Sequence, residues 1–410
     1  MPSKQKKDNS ATPRVTKTGD SLRTTQYTGV NAPISKTVVV SALLEVTGHV
    51  RFGDGTDIAT TITEKDAVLA PDGKSVEKAI WAGTKRRGVD RRTIHELRDR
   101  SGWNEKCYIP ELCGMCPICW LYGFTGTTQE RESLVKRINA KSRVLYSTSV
   151  SLEGVARCVS RHSRNQVDEK SQTTAGAAGI HEEEVIVAGT HFPIYTSLLH
   201  VLDWEIGAFA HALLEGINQN RYTAASRGQG GIRFAENDGD PVLIVDESPT
   251  GVFPLSVPKV PAWETDYAKV AALFASHHSS SPSLVGVQST LQAQGFAVEG
   301  NTKTLTARAG STELIVEAAE NFLIVRQGSD ELMKRYYGNQ ALGYLRQRQI
   351  EFQKTLADPE WRGQLSEELS AYVAAIQKKE PSKESTGATP PDPGTNPEEG
   401  APDDAAGRSE

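Results

Sequence analysis

Residues 36–52 read KTVVVSALLEVTGHVRF, a run rich in β-branched residues that favours a long strand and opens the ordered domain. Outward from it, Gly53, Asp54 and Gly55 mark one turn and Asp72-Gly73 another, with D-A-V-L between them as a short extended piece. The alternation V-L-Y-S-T-S-V-S-L within 143–152 predicts a second strand, and E-E-V-I-V-A-G-T-H-F is strand-like. Ile206, Phe209, Ala210, Leu213, Leu214 and Ile217 recur at the spacing of one helical face. Residues 330–379 are expected to be helical, with Leu332, Tyr336 and Tyr337 on one face and Leu365, Leu369, Tyr372 and Ile376 on another. Strand, helix, strands and helix in this order predict an α+β fold, an antiparallel sheet with helices on one face.

Residues 1–36 read as a flexible basic arm, 37–378 as one extended domain, and 240–300, with a Pro-rich and a Ser-rich stretch, as an insertion within it. Charge is segregated. In 381–410 the acids Glu384, Asp392, Glu398, Glu399, Asp403, Asp404 and Glu410 face only Lys383 and Arg408, which accounts for the whole formal charge of −5 and leaves the body neutral. A tail of this composition, 379–410, buries too little apolar surface to offset its ordering entropy and is expected to be disordered. The polar, basic start has no secretory apolar core and no run reaches membrane-spanning length, so a cytoplasmic protein without a membrane partner is expected.

Four of the five cysteines, Cys107, Cys113, Cys116 and Cys119, are spaced C-x5-C-x2-C-x2-C. Thiolates at this spacing suit tetrahedral Zn²⁺, and a reducing compartment disfavours disulfides. The knuckle, 107–119, is read as a structural zinc site whose closed shell leaves no position for an activated water. Packing by reduced thiols, or a redox couple of Cys116 with Cys119, are the other readings. Cys158 stands apart and is expected in the core.

Within the neutral body, basic residues concentrate in 83–106, where Lys85, Arg86, Arg87, Arg91, Arg92, Arg98, Arg100 and Lys106 meet only four acids. The segment A-G-T-K-R-R-G-V-D-R-R-T, residues 82–93, sets a Gly-flanked turn before a helix, which aims backbone N–H groups and guanidiniums at an anion. Phosphate binding and a solvated helix face are the two readings. In 220–234, N-R-Y-T-A-A-S-R-G-Q-G-G-I-R-F, the glycines permit close backbone approach to a ligand or a long turn.

Taken in order, these segments resemble the RAMP-superfamily backbone subunit of CRISPR effector complexes. The resemblance rests on D-A-V-L, D-G-K and A-G-T-K-R-R-G-V-D-R, then C-P-I-C-W-L-Y-G-F-T-G, K-S-R-V-L-Y-S-T-S-V-S-L, H-E-E-E-V-I-V-A-G-T-H-F and R-Y-T-A-A-S-R-G-Q-G-G. The tight knuckle running into W-L-Y-G-F and the R-Y-x-A segment look most like the type I-D Cascade version. Resemblance implies a ferredoxin-like or modified RNA-recognition palm with a β-hairpin thumb over about 157–190, Val167 and Asp168 near its tip. It implies copies in a helical filament along CRISPR RNA, other effector subunits as partners, and a spacer left free to pair with target DNA or RNA, since phosphate contacts carry no sequence information. On this reading Lys85, Arg86, Arg87, Arg91 and Arg92 contact guide phosphates, Arg137, Lys141 and Arg143 assist, and Arg221, Tyr222 and Arg227 line the same groove, with Tyr222 able to stack on a base.

Asp66 sits where related type III backbone subunits place an RNA-cleaving aspartate, in a loop before the glycine turn. A lone carboxylate there orients a 2′-hydroxyl or holds a metal, or merely caps a strand end. A scaffold without catalysis and a target-cleaving or type IV version of the subunit are thus separate expectations. A different class, an unrelated zinc-knuckle module for DNA or protein, calls for a compact recognition helix or a heptad, and neither is visible.

Overall fold

The computed structural model describes residues 36–52, 60–61, 63–100, 107, 112–114, 116–125, 139–165, 180–223, 230–277, 284–320, 322–367 and 370. The β-branched opening run forms β1 (Lys36–Val46). A hairpin of β2 (Lys65–Leu69) and β3 (Ser75–Trp81) leads into α1 (Gly83–Arg100), and the short α2 (Pro117–Tyr122) follows. Then come β4 (Val144–Tyr146), β5 (Ser149–Gly154), β6 (Val159–Asn165), β7 (Ile180–Ile186), β8 (His191–Val201) and α3 (Asp203–Asn218). Strands β9 (Ile232–Phe234) and β10 (Leu243–Ser248) precede α4 (Tyr267–Ala275) and α5 (Val285–Ala293). Strands β11 (Ala297–Gly300), β12 (Thr304–Ala309), β13 (Thr312–Ala318), β14 (Leu323–Gln327) and β15 (Asp330–Tyr337) lead to α6 (Gly338–Ala357).

One 10-stranded sheet runs β11-β12-β13-β14-β15-β10-β1-β8-β4, with β9 also paired to β1. Strand β1 lies between β8 and β10, both antiparallel, with Ser41 opposite Tyr195 on one side and Ile244 on the other. A strand central to a sheet is buried on both faces, which is why its sequence reads as an almost continuous apolar run. Val38, Val40, Ala42, Leu44 and Val46 enter the main core with α1, α2, α3 and α6, whereas Leu43 enters a separate cluster with Ile244, Val270 and Phe274. Side chains alternate across a strand, so α4 covers the opposite face from α3. The expectation of helices on one face is corrected accordingly. Each fully buried Val or Leu of β1 contributes about 1.5–3 kcal/mol.

Helix α3 confirms the periodic reading of 206–217, and its buried side chains extend over nearly its whole length because α1, α6 and the sheet enclose it. The expected strand of 143–152 divides into β4, on the edge of the large sheet, and β5, which joins the β2–β3 hairpin. The stretch expected as an insertion contains β10, all six residues buried at the centre of the sheet. The expected helix over 330–337 is β15: the i, i+4 pair Leu332 and Tyr336 misled, while pairing with β10 and β14 dictates the strand. The switch to helix occurs at Gly338, whose φ of +56° is open to glycine at little cost. Here a second core of Leu291, Leu305, Leu314, Val316, Val325 and Met333 packs the C-terminal hairpins under α5.

Arg335 and Asp246, both fully buried, staple β15 to β10 through two bonds of 2.7 Å. His277 and the carbonyl of Ser256 take further donors of the same guanidinium, as a buried charge requires. No helix among the described residues is long and apolar enough to cross a membrane.

Candidate nucleic-acid interface and metal centre

Helix α1 begins two residues after Trp81, the last residue of β3, and the basic run that the sequence singles out covers it. Helical periodicity divides that run. Arg86, Arg91 and Arg98 are buried, at 2%, 4% and 1% exposure, while Arg92 is exposed and Lys85 and Arg87 are half-buried. Outward positions Thr84, Gly88, Arg92 and Glu96 repeat every four residues, so the solvent-facing stripe is uncharged in its first half and carries one cation and one anion in its second. Arg87 and Arg92 have no ion-pair partner among the described residues. Lys85 donates to the Phe52 carbonyl at 2.6 Å.

Arg86 and Arg91, expected at phosphates, are interior struts instead. Arg86 donates to the Ser147 carbonyl and lies over the rings of Trp81 and Tyr146, 5.5 and 5.6 Å from their centroids. Burial lowers its pKa, against the attraction of Tyr146, Tyr222 and Asp90. Beside it Asp90, fully buried, accepts from the hydroxyls of Tyr146 and Tyr222. Burial outweighs both hydrogen bonds and the Arg86 charge, and the Asp90 pKa is pushed up to about 6. Tyr222 is therefore committed to this interior network at 5% exposure, with its ring edge-on to Trp81, and has no free face for a base. Nothing in one dimension flags Asp90 as its centre, because its partners lie 56 and 132 residues away.

The remaining basic residues separate in the same way. Arg143 donates to the Trp120 and His200 carbonyls at 3.2 and 2.8 Å and pairs with the buried Glu205, so it joins α2, β8 and α3 rather than facing solvent. Arg221 pairs with Glu96 of α1 and Gln219. Lys141 is exposed. Arg137, Arg227, Val167 and Asp168 lie outside the described residues. Of the glycines read as approaching a ligand, Gly230 approaches the chain itself: a Cβ there would stand 2.2 Å from the His49 carbonyl oxygen.

Asp66 lies on β2 opposite Lys78, not in a loop, and its exposed carboxylate accepts from the Ala67 amide at 2.8 Å. Strands β6 and β7 form an antiparallel hairpin with Glu184 opposite Arg161. Its base carries a charge clasp that sequence reasoning missed: Glu183 pairs with Arg51, and Glu184 with Lys65 at 2.8 Å, Arg161 at 3.1 Å and the Thr63 amide at 3.0 Å. Burial raises the Glu184 pKa, but these donors outweigh it and hold the carboxylate below its ordinary range.

The four cysteine sulfurs, most of them buried, lie within 4.8 Å of one another at the start of α2. Cys107 is 3.3 Å from Cys119 and 3.6 Å from Cys116, and Cys113 is 4.0 Å from Cys119. All five cysteines are free thiols, and Cys158 is buried apart as expected. Hydrogen bonds from its three neighbours pull the Cys107 pKa down, while burial pushes Cys116 up. Four sulfurs gathered this closely are compatible with a structural metal.

Residues 73–234 match the family model described as Csc2 Crispr, about two-fifths of the chain. Among solved structures, the chain is similar to the crystal structure of Thermofilum pendens Csc2, with 14% identity, a TM-score of 0.45, and coverage of 84% of this chain and 91% of that one. A chain of a Type IV-B CRISPR Complex is also similar, with 15% identity, a TM-score of 0.34, and coverage of 55% of this chain and 96% of that one. No curated protein matches. The matched segment holds the basic helix, the thiol cluster and the hairpin, and the family match over it supports a backbone subunit of a CRISPR ribonucleoprotein complex.

Proposed function

We propose that this chain grips the sugar-phosphate backbone of a CRISPR RNA along the outer stripe of α1. The observation that carries the reading is the sorting of the basic helix: Arg87 and Arg92 project from it without acidic partners among the described residues, while Arg86 and Arg91 lock it to the core. Cations held on a rigid element recognise phosphates without reading sequence. Lys141, exposed after the α2 region, is a further candidate contact, and Arg137 and Arg227 are assigned to RNA on the strength of the sequence alone. Lys85, Arg143 and Arg221 serve mainly as braces that hold the surface in shape. Copies of the chain line up on one guide, the β6–β7 hairpin acting as the thumb, and leave the spacer free to pair with target nucleic acid alongside other effector subunits in the cytoplasm. The knuckle followed by W-L-Y-G-F supports the type I-D version of this subunit.

Zinc is the metal we assign to the thiol cluster. Zn–S bonds of about 2.3 Å in a tetrahedron place the sulfurs about 3.8 Å apart, close to the 3.3, 3.6 and 4.0 Å separations of three sulfur pairs in a cluster that lies wholly within 4.8 Å. Cys107, Cys113, Cys116 and Cys119 would hold the ion, which supplies cross-linking of the knuckle and no open position for a reaction.

Binding of a repeat-derived RNA, measured by fluorescence anisotropy across a salt series, tests the RNA reading. Arg87→Ala with Arg92→Ala should weaken binding and flatten the log–log salt slope by about 1.4, because each single-stranded phosphate that a cation neutralises adds about 0.7 to that slope. Unchanged affinity and slope in the folded double variant would move the RNA path elsewhere.

A further inference from the structure

Three arginines of α1 are too deep to meet RNA; Arg86 is held by the Ser147 carbonyl, and a core position alone does not call for a guanidinium at the other two. Arg91 and Arg98 are 4% and 1% exposed and stand seven residues apart, two turns along one face of the helix. Arg91 directs Nη2 to the Cys119 sulfur at 3.6 Å and Nη1 to the Gly123 carbonyl at 3.2 Å, so it joins the middle of α2 to the residue that ends it. Arg98 donates to Asp99 at 2.8 and 3.1 Å. Burial works against the charge of Arg98, yet Asp99 together with the Cys116 and Cys107 sulfurs keeps that charge favoured. A buried cation is costly unless a suitable partner faces it, and the group that faces Arg91 is the Cys119 sulfur.

We propose that Arg91 and Arg98 are the counter-charges of the metal centre, balancing the double negative charge of a four-thiolate zinc ion and fastening the knuckle to α1. The inference rests on the assignment of zinc to the thiol cluster and extends it to residues outside the ligand set. Zinc bound by four thiolates keeps net negative charge, and in a buried loop that charge needs donors aimed at sulfur. Arg91 meets this need directly, and Arg98 lies two turns on along the same buried face of α1, bound to Asp99. The same placement explains why a helix with an RNA-facing stripe spends two guanidiniums on its inner side beyond Arg86. Helix α1 thereby carries cations of two kinds, outward ones for phosphate and inward ones for thiolate.

The test is competition for zinc between a chromogenic chelator and the full chain, comparing wild type with Arg91→Met, Arg98→Met and Arg91→Lys. Loss of such outer-shell partners costs about 10–100-fold in metal affinity, so both Met variants should release zinc at correspondingly lower chelator concentration. Arg91→Lys, which keeps the charge, should recover much of the loss. Met variants that hold zinc as tightly as wild type would overturn the proposal. Equal weakening by Lys and Met would overturn it too, since that pattern reports lost packing instead of lost charge. If Arg98→Met does not fold, the two Arg91 variants decide alone. A wild-type chain that binds no zinc defeats the metal assignment itself, a result distinct from either.

Discussion

Asp90 offers a quantitative check on the interior of the candidate interface. Its carboxylate is fully buried under Tyr146 and Tyr222, and burial, opposed by their hydroxyls and by Arg86, moves its pKa from 3.8 to about 6. The native state therefore holds this proton more tightly than the unfolded chain does. Its contribution to stability is greatest below about pH 3.8, falls as the pH rises towards 6, and stays constant above that. The full span from 3.8 to 6 corresponds to about 3 kcal/mol, at about 1.4 kcal/mol for each tenfold change in proton affinity. Asp90→Asn removes the titration while keeping the shape of the side chain. Urea unfolding of both proteins, followed by tryptophan fluorescence, gives a stability difference in which all other titrating groups cancel. Wild type should lose about 2–3 kcal/mol relative to Asp90→Asn between about pH 4 and pH 7.5. A difference that stays flat, or that rises with pH, would refute the reasoning and mean that the tyrosine donors and Arg86 outweigh burial.

Two further expectations concern the frame around the site. In Gly207→Ala the new Cβ would stand 2.4 Å from the Arg348 carbonyl oxygen and 2.6 Å from the Phe352 Cβ, prising α3 from α6 at a cost of about 1–3 kcal/mol or more, visible as a lowered thermal midpoint; an unshifted midpoint would show that this helix pair is looser than its backbones indicate. Asp246→Ala should cost about 3–5 kcal/mol by stranding the buried Arg335, while Asp246→Leu with Arg335→Met should recover most of the loss; denaturant midpoints that rank the single variant above the double would contradict this.

The elements that the sequence made legible are those where one periodicity prevails. The apolar run of β1, the helical spacing of 206–217 and the glycine-led basic helix all appear where their patterns place them. The short x2 gaps did the same for the thiols, since close chain spacing by itself forces close spatial approach.

What the one-dimensional pattern could not determine was the partner of each charge. Arg86, Arg87, Arg91 and Arg92 are near-identical letters, yet rotation of about 100° per residue around α1 sends the first and third inward to Ser147 and Cys119 and leaves the others outside. Tyr222 seemed available to a base until the fold set it against Asp90, and β15 looked helical until β10 supplied an edge with a buried Asp246 for Arg335. Local composition decides whether a segment curls or extends where one periodicity prevails, because propensity acts over a few residues. Whether a guanidinium or a phenol ends up facing RNA, a sulfur or a carboxylate is settled only when segments 28 to 132 residues apart meet, because desolvation penalises every buried polar group that lacks a partner.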